Sequence, residues 1–247
     1  MSTVKNLEKL EQSKKVGFIY LSQEDCIEAG GLDMDGTLEA IQKSFELHGC
    51  NEVIQPSKPV IRWGGPETEE TRGRIMTMPS YLGGDLDVAG MKWIPSMPEN
   101  PKKIGQPRAS AVIILSDPHN GFPLAIMDGT IVSAMRTGAA TGIAAKYLAN
   151  PDSRTVGIIG AGVQSRTQLM AVTSAFKNQI EYIKVFDLNE EKTKQFAKEM
   201  ESELNVTVIN ARNAEEAIRD SDIVITATMS TFPYVKGEWL KEGAFHS

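Results

Sequence analysis

Short apolar segments alternate with helix-like segments throughout the second half of the chain, and no other feature constrains the fold as strongly. The apolar segments are TVGIIG, YIKVFD, VTVIN and DIVITAT, and segments of helical composition separate them. Strands that are apolar along nearly their whole length indicate a parallel sheet covered by helices on both faces. We therefore predict an α/β fold with a Rossmann-type parallel sheet in this half.

A glycine turn directly follows the first of these apolar segments. Gly160 and Gly162 come after TVGIIG and open a helix, with Ser165 at the third position where a small residue is expected. In a dinucleotide-binding turn the first glycine makes the bend, and the second lets the backbone approach a pyrophosphate at the helix N-terminus. The alternative interpretation is a purely structural turn between a strand and a helix.

An acidic residue ends the second apolar segment, where dinucleotide-binding folds place a ribose ligand. Asp187 closes YIKVFD, and it is followed by Leu188 and Asn189 rather than by an arginine. A carboxylate there accepts a hydrogen bond from a ribose 2′-hydroxyl and repels a 2′-phosphate. We therefore expect NAD rather than NADP as the cofactor, although an unrelated surface aspartate would give the same pattern.

The first half of the chain has a different pattern. Five β-like segments, VIRW, RIMTMPSYL, AGMKWIP, SAVIILSD and PLAIMDG, are separated by turn clusters, and a helix-like segment precedes them. This pattern is typical of a largely antiparallel sheet in an α+β domain. An alanine-rich helix, IVSAMRTGAATGIAAKYLA, then leads into the second half. We predict a substrate-binding α+β domain over residues 1–140 and an NAD-binding Rossmann domain over residues 141–247.

Basic residues that adjoin apolar segments are candidates for binding a substrate carboxylate. There are four of them: Arg62, Lys92, Arg108 and Arg136. A guanidinium binds a carboxylate through two parallel hydrogen bonds, which fixes the orientation of the ligand as well as its charge. Converging cations in a protein whose net charge is −6 favour a small carboxylate substrate. Each residue taken alone could equally be a solvated residue beside a strand.

Composition argues against several kinds of partner. The sequence has no Lys/Arg-rich run typical of nucleic-acid binding, no apolar stretch of membrane-spanning length and no signal peptide at its start. Cys26 and Cys50 make no disulfide framework, and three scattered histidines have no ligand-like spacing. We therefore expect a cytoplasmic protein with no metal site, no nucleic-acid partner and no membrane contact.

Four segments together resemble the ornithine cyclodeaminase / mu-crystallin family: GIIGAGVQS, GMKWIPSMPENP, DPHNGFPLAIMDG and AMRTGAATGIAAKYLA. The resemblance runs from about residue 17 to residue 245 and includes both predicted domains. It implies a homodimer in which a substrate and dimerisation domain is joined to an NAD(P)-binding Rossmann domain. It also implies hydride transfer at an amine-bearing carbon through an imine. We therefore expect an NAD-dependent oxidoreductase of an amino or imino acid.

The resemblance implies roles for individual residues. It assigns Arg62, Lys92 and Arg136 to the substrate carboxylate, and Lys92 also to proton transfer. It assigns to the cofactor a further set: Val163, Gln164, Asp187, Ala227 and Thr228. Arg108 departs from the cyclodeaminases, in which a threonine is expected. The segment PRASAVIILSD is closer to the siderophore-pathway dehydrogenases, and its additional cation could hold a second carboxylate.

Two other functions stay open at this point. One is cyclodeamination of ornithine to proline and ammonia, in which NAD is reduced and reoxidised within one turnover. The other is binding of NAD or a small ligand without turnover. Family members continue into a G-x-D-x-x-G-K segment with a catalytic aspartate, whereas this sequence stops at EGAFHS. We accordingly expect residues 1–247 to be poorly active and less stable than a longer relative, because a fifth strand near GAFHS would be incomplete.

Overall fold

The computed structural model describes residues 16–64, 72–177 and 179–247. In chain order, its earlier elements are β1 (Ile19–Leu21), α1 (Gln23–Cys26), α2 (Met34–Gly49), β2 (Val53–Ile54), β3 (Val60–Trp63), β4 (Gly73–Leu82), β5 (Val88–Ser96), α3 (Asn100–Lys103), β6 (Val112–Ser116), β7 (Pro123–Asp128) and α4 (Thr130–Leu148). The later elements are β8 (Thr155–Ile159), α5 (Val163–Ala175), β9 (Tyr182–Phe186), α6 (Glu190–Leu204), β10 (Thr207–Asn210), α7 (Ala214–Ile218), β11 (Ile223–Thr226) and β12 (Phe245–His246). A π-helical turn at Ile27–Gly31 and a 3₁₀ turn at Gly237–Trp239 complete the set.

The chain forms two compact units, and each is built from two separate segments. The first unit draws on Met1–Cys26 and Leu47–Thr130, and the second on Ile27–Glu46 and Ile131–Ser247. The sequence had suggested a single division after residue 140. The difference arises because α2 precedes the strands of the first unit in the chain but packs within the second.

The first unit contains a seven-stranded sheet with the strand order β1-β7-β6-β5-β4-β2, and β3 also pairs with β4. Neighbouring strands are antiparallel, as predicted, except that β1 pairs with β7 in parallel. The longest pairing joins β4 to β5 over nine residue pairs. Since successive side chains on a strand point to opposite faces, this register decides which residues share a face.

The second unit contains a five-stranded parallel sheet with the order β10-β9-β8-β11-β12. Numbered along the chain, this order is third, second, first, fourth and fifth, which is the arrangement of a Rossmann fold. Ile158, Ile183, Val185 and Ile225 are fully buried, as expected for strands that helices cover on both faces. The predicted fold class is therefore confirmed.

Two glycines on α4 allow that helix to approach α5 closely. A Cβ at Gly142 would lie 2.8 Å from the carbonyl oxygen of Ala171, and a Cβ at Gly138 would collide with the backbone of Thr167. Helix α2 then packs on α4 through a buried cluster that includes Met34, Leu38, Met135 and Ile143. This apolar contact is the physical reason why α2 belongs to the second unit.

Candidate cofactor and carboxylate sites

The two glycines of the predicted fingerprint have different structural reasons to be glycine. Gly160 adopts φ +103°, and a Cβ built on it would collide with the carbonyl oxygen of Ala227. Gly162 adopts φ −110°, which any residue tolerates, and a Cβ there would meet nothing within 4 Å. Gly160 therefore makes the bend, while Gly162 faces open space that a pyrophosphate could approach closely.

Hydrogen bonds join the turn to the neighbouring strands. The Gly160 N–H donates to the carbonyl oxygen of Phe186 at 2.7 Å, and the Ala227 N–H donates to that of Ile159 at 2.9 Å. These bonds tie together the carboxyl ends of β8, β9 and β11. In open α/β sheets, ligands bind at this edge.

The N-terminus of α5 begins at the turn and offers backbone donors. The Arg166 N–H donates to the Gly162 carbonyl oxygen at 3.1 Å, which is the first bond of the helix. The N–H groups of Val163 and Gln164 precede that bond and have no partner within the helix. The first turn carries no acidic residue, and Val163 is 68% exposed. Backbone donors in this position can bind an anionic group such as a pyrophosphate.

Asp187, just after β9, is bound to the glycine turn. Its carboxylate accepts hydrogen bonds from the N–H of Ala161 at 2.8 Å and of Asn189 at 3.1 Å, and the Lys192 ammonium lies 3.5 Å away. Burial alone would raise the pKa of Asp187, but these hydrogen bonds and Lys192 outweigh it and lower the pKa. The carboxylate is therefore charged at neutral pH, at the edge where this fold places a ribose.

Sequence reasoning missed Lys192 and Tyr234 at this edge. Lys192 lies in the first turn of α6, five positions after Asp187, whereas only the two residues directly after the aspartate were considered. The Tyr234 hydroxyl lies 3.1 Å from the hydroxyl of Thr228, one of the two residues predicted at the end of β11. Lys192 lies close to Asp187 because the first turn of α6 follows the aspartate, so the sequence could have predicted this contact. No local sequence pattern predicts the position of Tyr234.

Large apolar side chains are exposed in the segments that follow β9, the glycine turn and β11. Leu188 is 96% exposed, Met229 is 70% exposed and Phe232 is 79% exposed. Exposed apolar residues are unremarkable singly, but a group of them at a ligand-binding edge is typical of a surface that a planar ring covers. This edge of the second unit therefore combines anion donors, a charged carboxylate and apolar surface.

In the first unit, the strand register brings basic residues to one face of the sheet. Arg62 on β3 lies opposite Arg74 on β4, and Arg74 lies opposite Ser96 on β5. Lys92 lies opposite Met78, four residues from Ser96 along β5 and therefore on the same face. The predicted Arg62 and Lys92 thus share this face with Arg74, which sequence reasoning missed.

Arg108 reaches the same row of residues from the segment before β6. Its Nε donates to the Ser96 hydroxyl at 3.3 Å, and Ser96 is buried at 7% exposure. We call this face, defined by Arg62, Arg74, Lys92 and the Ser96–Arg108 pair, the cationic face. It carries three of the four predicted carboxylate ligands.

Arg136, the fourth, lies on α4 in the second unit. It is half-buried, and burial lowers the pKa of its guanidinium. An arginine nevertheless stays protonated at neutral pH because its ordinary pKa lies far above neutrality.

Within 16–64, 72–177 and 179–247, no group of three or more His, Cys, Asp or Glu side chains could hold a metal ion. No helix in these ranges is long and apolar enough to cross a membrane.

Comparison with known proteins gives consistent matches over most of the chain. Residues 32–246 match the Ornithine cyclodeaminase/mu-crystallin family. The sequence is 36% identical over 230 residues to N-((2S)-2-amino-2-carboxyethyl)-L-glutamate dehydrogenase of Staphylococcus aureus, covering 93% of this chain and 68% of that enzyme.

Two solved structures superpose closely. The first is the delta(1)-pyrroline-2-carboxylate reductase of Thermococcus litoralis in complex with NADH and L-proline. It superposes with a TM-score of 0.84 at 41% identity, covering 93% of this chain and 68% of that one. The second is an archaeal alanine dehydrogenase dimer with bound NAD, with a TM-score of 0.81 at 38% identity, covering 93% and 66%. The chain thus spans about two thirds of the length of these proteins.

Proposed function

The chain belongs to the ornithine cyclodeaminase/mu-crystallin family, and on this premise we propose that it is an NAD-dependent oxidoreductase of an amino or imino acid. The observation that carries the proposal is the glycine turn at the edge of a sheet with Rossmann strand order. The names of three similar proteins support it, because two are amino-acid dehydrogenases and one is the delta(1)-pyrroline-2-carboxylate reductase. When bound, NAD would supply a hydride acceptor for the carbon that carries the amine.

The second unit provides the groups that would hold NAD. The N–H groups of Val163 and Gln164 would donate to the pyrophosphate, which the absent side chain of Gly162 lets approach. The charged carboxylate of Asp187 would accept hydrogen bonds from the ribose hydroxyls. We propose that Ala227 and Thr228, at the end of β11, border the rest of the cofactor.

The first unit provides the cationic face, to which we assign the substrate carboxylate. Arg62 would fix the carboxylate through paired hydrogen bonds, and Lys92 would contribute a second positive charge. Lys92 could also hold a proton at Nζ and deliver it as the amine changes its charge. We propose Arg136 as a further carboxylate ligand and Arg108 as an additional cation.

The proposal is tested by binding and by turnover with the chain as it is. NAD should quench the intrinsic fluorescence or release heat on titration. A panel of amino acids with NAD should generate the absorbance of reduced nicotinamide, at the low rate expected of residues 1–247. Lys92→Met should abolish turnover but leave NAD binding unchanged, because the two functions belong to different units. Failure to bind NAD would contradict the proposal. Formation of proline from ornithine without net production of NADH would show that the reaction is cyclodeamination and not net oxidoreduction.

We further propose that a second copy of the chain covers the face of the first sheet opposite the cationic face. The register puts Tyr20, Ile126, Ile114 and Met91 side by side on this face, which we call the apolar face. Ile54 and Ile61 extend it and are 67% and 64% exposed, as is Tyr20 at 69%. That the similar archaeal alanine dehydrogenase is a dimer supports dimerisation in general. The free thiols Cys26 and Cys50 favour the cytoplasm as its location.

A further inference from the structure

Two hydroxyl groups lie side by side at the carboxyl end of β11. The Tyr234 hydroxyl is 3.1 Å from that of Thr228, and the Ser230 N–H donates to the Thr228 hydroxyl oxygen at 3.3 Å. We propose that Tyr234 is a positioning residue, which directs the Thr228 hydroxyl proton towards the ribose on the nicotinamide side of NAD. The proposal rests on the proposed function and deepens it by assigning a residue outside the sequence motifs to the cofactor site.

The first argument is a count of protons. A threonine hydroxyl can donate one hydrogen bond and accept two, and a tyrosine hydroxyl carries one proton of its own. The bond between Thr228 and Tyr234 uses one of their two protons, so the other is left to donate elsewhere. Within the described ranges, the pair's one other partner is the Ser230 N–H, which is itself a donor. The pair therefore presents one donor that these ranges leave unused.

The second argument identifies Thr228 as the residue that carries this donor. When Tyr234 donates to it, the Thr228 oxygen accepts two hydrogen bonds, and its own proton points away from Tyr234 and Ser230. Thr228 is exposed, whereas Tyr234 is half-buried and packs on an apolar cluster that includes Ile159 and Val224. A donor for a ligand is therefore better placed on Thr228, and successive hydrogen bonds of such a chain strengthen one another.

The segment that joins the two hydroxyls is also held in position. The Ser230 hydroxyl donates to the carbonyl oxygen of Phe232 at 2.8 Å and accepts from the Phe232 N–H at 3.2 Å. These bonds close a turn between Thr228 and Tyr234, and the packed tyrosine ring fixes the far end of that turn. A donor that is fixed before a ligand arrives costs less conformational entropy on binding.

The strand order favours the nicotinamide half of the cofactor as the acceptor. Asp187 follows β9, the glycine turn follows the central β8, and Thr228 follows β11 on the other side. With one ribose assigned to Asp187 and the pyrophosphate to the turn, the second nucleoside extends over β11. The Thr228 methyl group lies 3.4 Å from the position of a Cβ built on Gly160. Thr228 therefore borders the turn, which favours the first sugar beyond the pyrophosphate over the nicotinamide ring.

Three ligands of decreasing length test this assignment by calorimetry on the full chain. NAD and ADP-ribose both contain the nicotinamide-side ribose, whereas ADP ends at its second phosphate. Tyr234→Phe keeps the packed ring and removes only the hydroxyl. We expect it to weaken the binding of NAD and of ADP-ribose about three- to tenfold, the range of one neutral hydrogen bond. The affinity for ADP should change less than about twofold, which also shows that the fold is retained.

Variants of Thr228 show whether Tyr234 acts through it. Thr228→Val should weaken the binding of the same two ligands, and Thr228→Ser, which retains a hydroxyl, should keep most of the wild-type affinity. Adding Tyr234→Phe to Thr228→Val should cause no further loss, because the donor is already absent. The matched control is Tyr182→Phe, the same substitution at an exposed position at the start of β9. It should leave all three affinities unchanged.

The possible outcomes separate this inference from the proposed function. If Tyr234→Phe changes no affinity, weakens ADP as much as NAD, or weakens NAD alone, the assignment to the ribose is overturned and the proposed function stands. Additive losses in the double variant would show that the two hydroxyls act independently and would overturn the positioning role. If the wild-type chain does not bind NAD, the proposed function fails and this inference fails with it.

Discussion

Two glycines in one turn are expected to respond differently to the same substitution. Gly160→Ala adds a Cβ in a positive-φ conformation and against the carbonyl oxygen of Ala227, so we expect it to destabilise the protein by about 2–4 kcal/mol. Gly162→Ala meets open space and should cost about 1 kcal/mol or less, through a poorer helix cap. Urea unfolding followed by circular dichroism measures both.

The same pair of variants tests the position of the cofactor. Since the space beside Gly162 is assigned to the pyrophosphate, Gly162→Ala should weaken NAD binding about tenfold or more while the fold is retained. Wild-type affinity in this stable variant would mean that no pyrophosphate comes close to the turn.

The Asp187–Lys192 pair is expected to control the choice between NAD and NADP. Asp187→Ser removes the charge that repels a 2′-phosphate and leaves the Lys192 ammonium beside it. We expect the ratio of NADP to NAD affinity to rise about tenfold or more, in the range of one charge-assisted hydrogen bond. Titration of both cofactors measures this ratio, and adding Lys192→Gln should cancel the gain. An unchanged ratio would remove Asp187 from the ribose site.

The candidate site residues that could be predicted from the sequence are those whose position depends on neighbours along the chain. Gly160, Gly162 and Asp187 were recognisable because a strand, a turn and a helix in succession define their positions. Arg74 was not, because its importance comes from lying opposite Arg62, and the strand register is set by packing across the whole sheet. The register cannot be derived from either strand alone.

At the level of elements, Asp222 joins the start of β8 to the start of β11. It accepts hydrogen bonds from the N–H groups of Arg154 at 2.8 Å and Thr155 at 3.0 Å and pairs with Lys241. Burial would raise the pKa of Asp222, but Lys241 and the two N–H groups outweigh it and lower the pKa. A carboxyl whose pKa is lower in the folded protein stabilises the fold above its unfolded pKa, near 4, and this contribution disappears as the pH falls further.

We therefore expect Asp222→Asn to reduce the free energy of unfolding by about 1–2 kcal/mol at pH 7. The difference from the wild type should shrink as the pH falls below about 4, because the wild-type carboxyl is then protonated too. Denaturant titrations across this pH range measure it. If the difference in unfolding free energy does not change with pH, the loss in Asp222→Asn comes from the altered hydrogen-bond geometry and not from the missing negative charge.

The elements themselves were largely predictable, whereas their grouping was not. The strands and helices of the second half follow the apolar pattern, as do β3 to β7 in the first. Helix α2 was predicted before the first sheet, yet its buried Met34 and Leu38 pack on α4. An amphipathic pattern shows that a helix has an apolar face but does not say which distant element will cover it.

For the whole molecule, the apolar face of the first unit predicts a concentration-dependent dimer. The double variant Ile54→Lys and Ile61→Lys places two charges on this face and should give a monomer, because burying an unpaired charge is strongly unfavourable. Phe45→Lys, at an exposed position of α2 in the second unit, is the matched control and should leave the dimer intact. Sedimentation velocity measures the assembly, and a monomeric wild type at high micromolar concentration would contradict it.

The division of each unit into two chain segments has a consequence for biosynthesis. The residues of α4 that cover Met34 and Leu38 are synthesised about a hundred residues after them. At about 5–20 residues per second, α4 is therefore synthesised roughly 5–20 s after α2. During that interval the remaining strands of the first sheet are synthesised, while the apolar face of α2 stays uncovered. A nascent chain of this design is therefore exposed to holdase chaperones at a defined stage of translation, and the second unit can complete its core only after the first sheet has emerged.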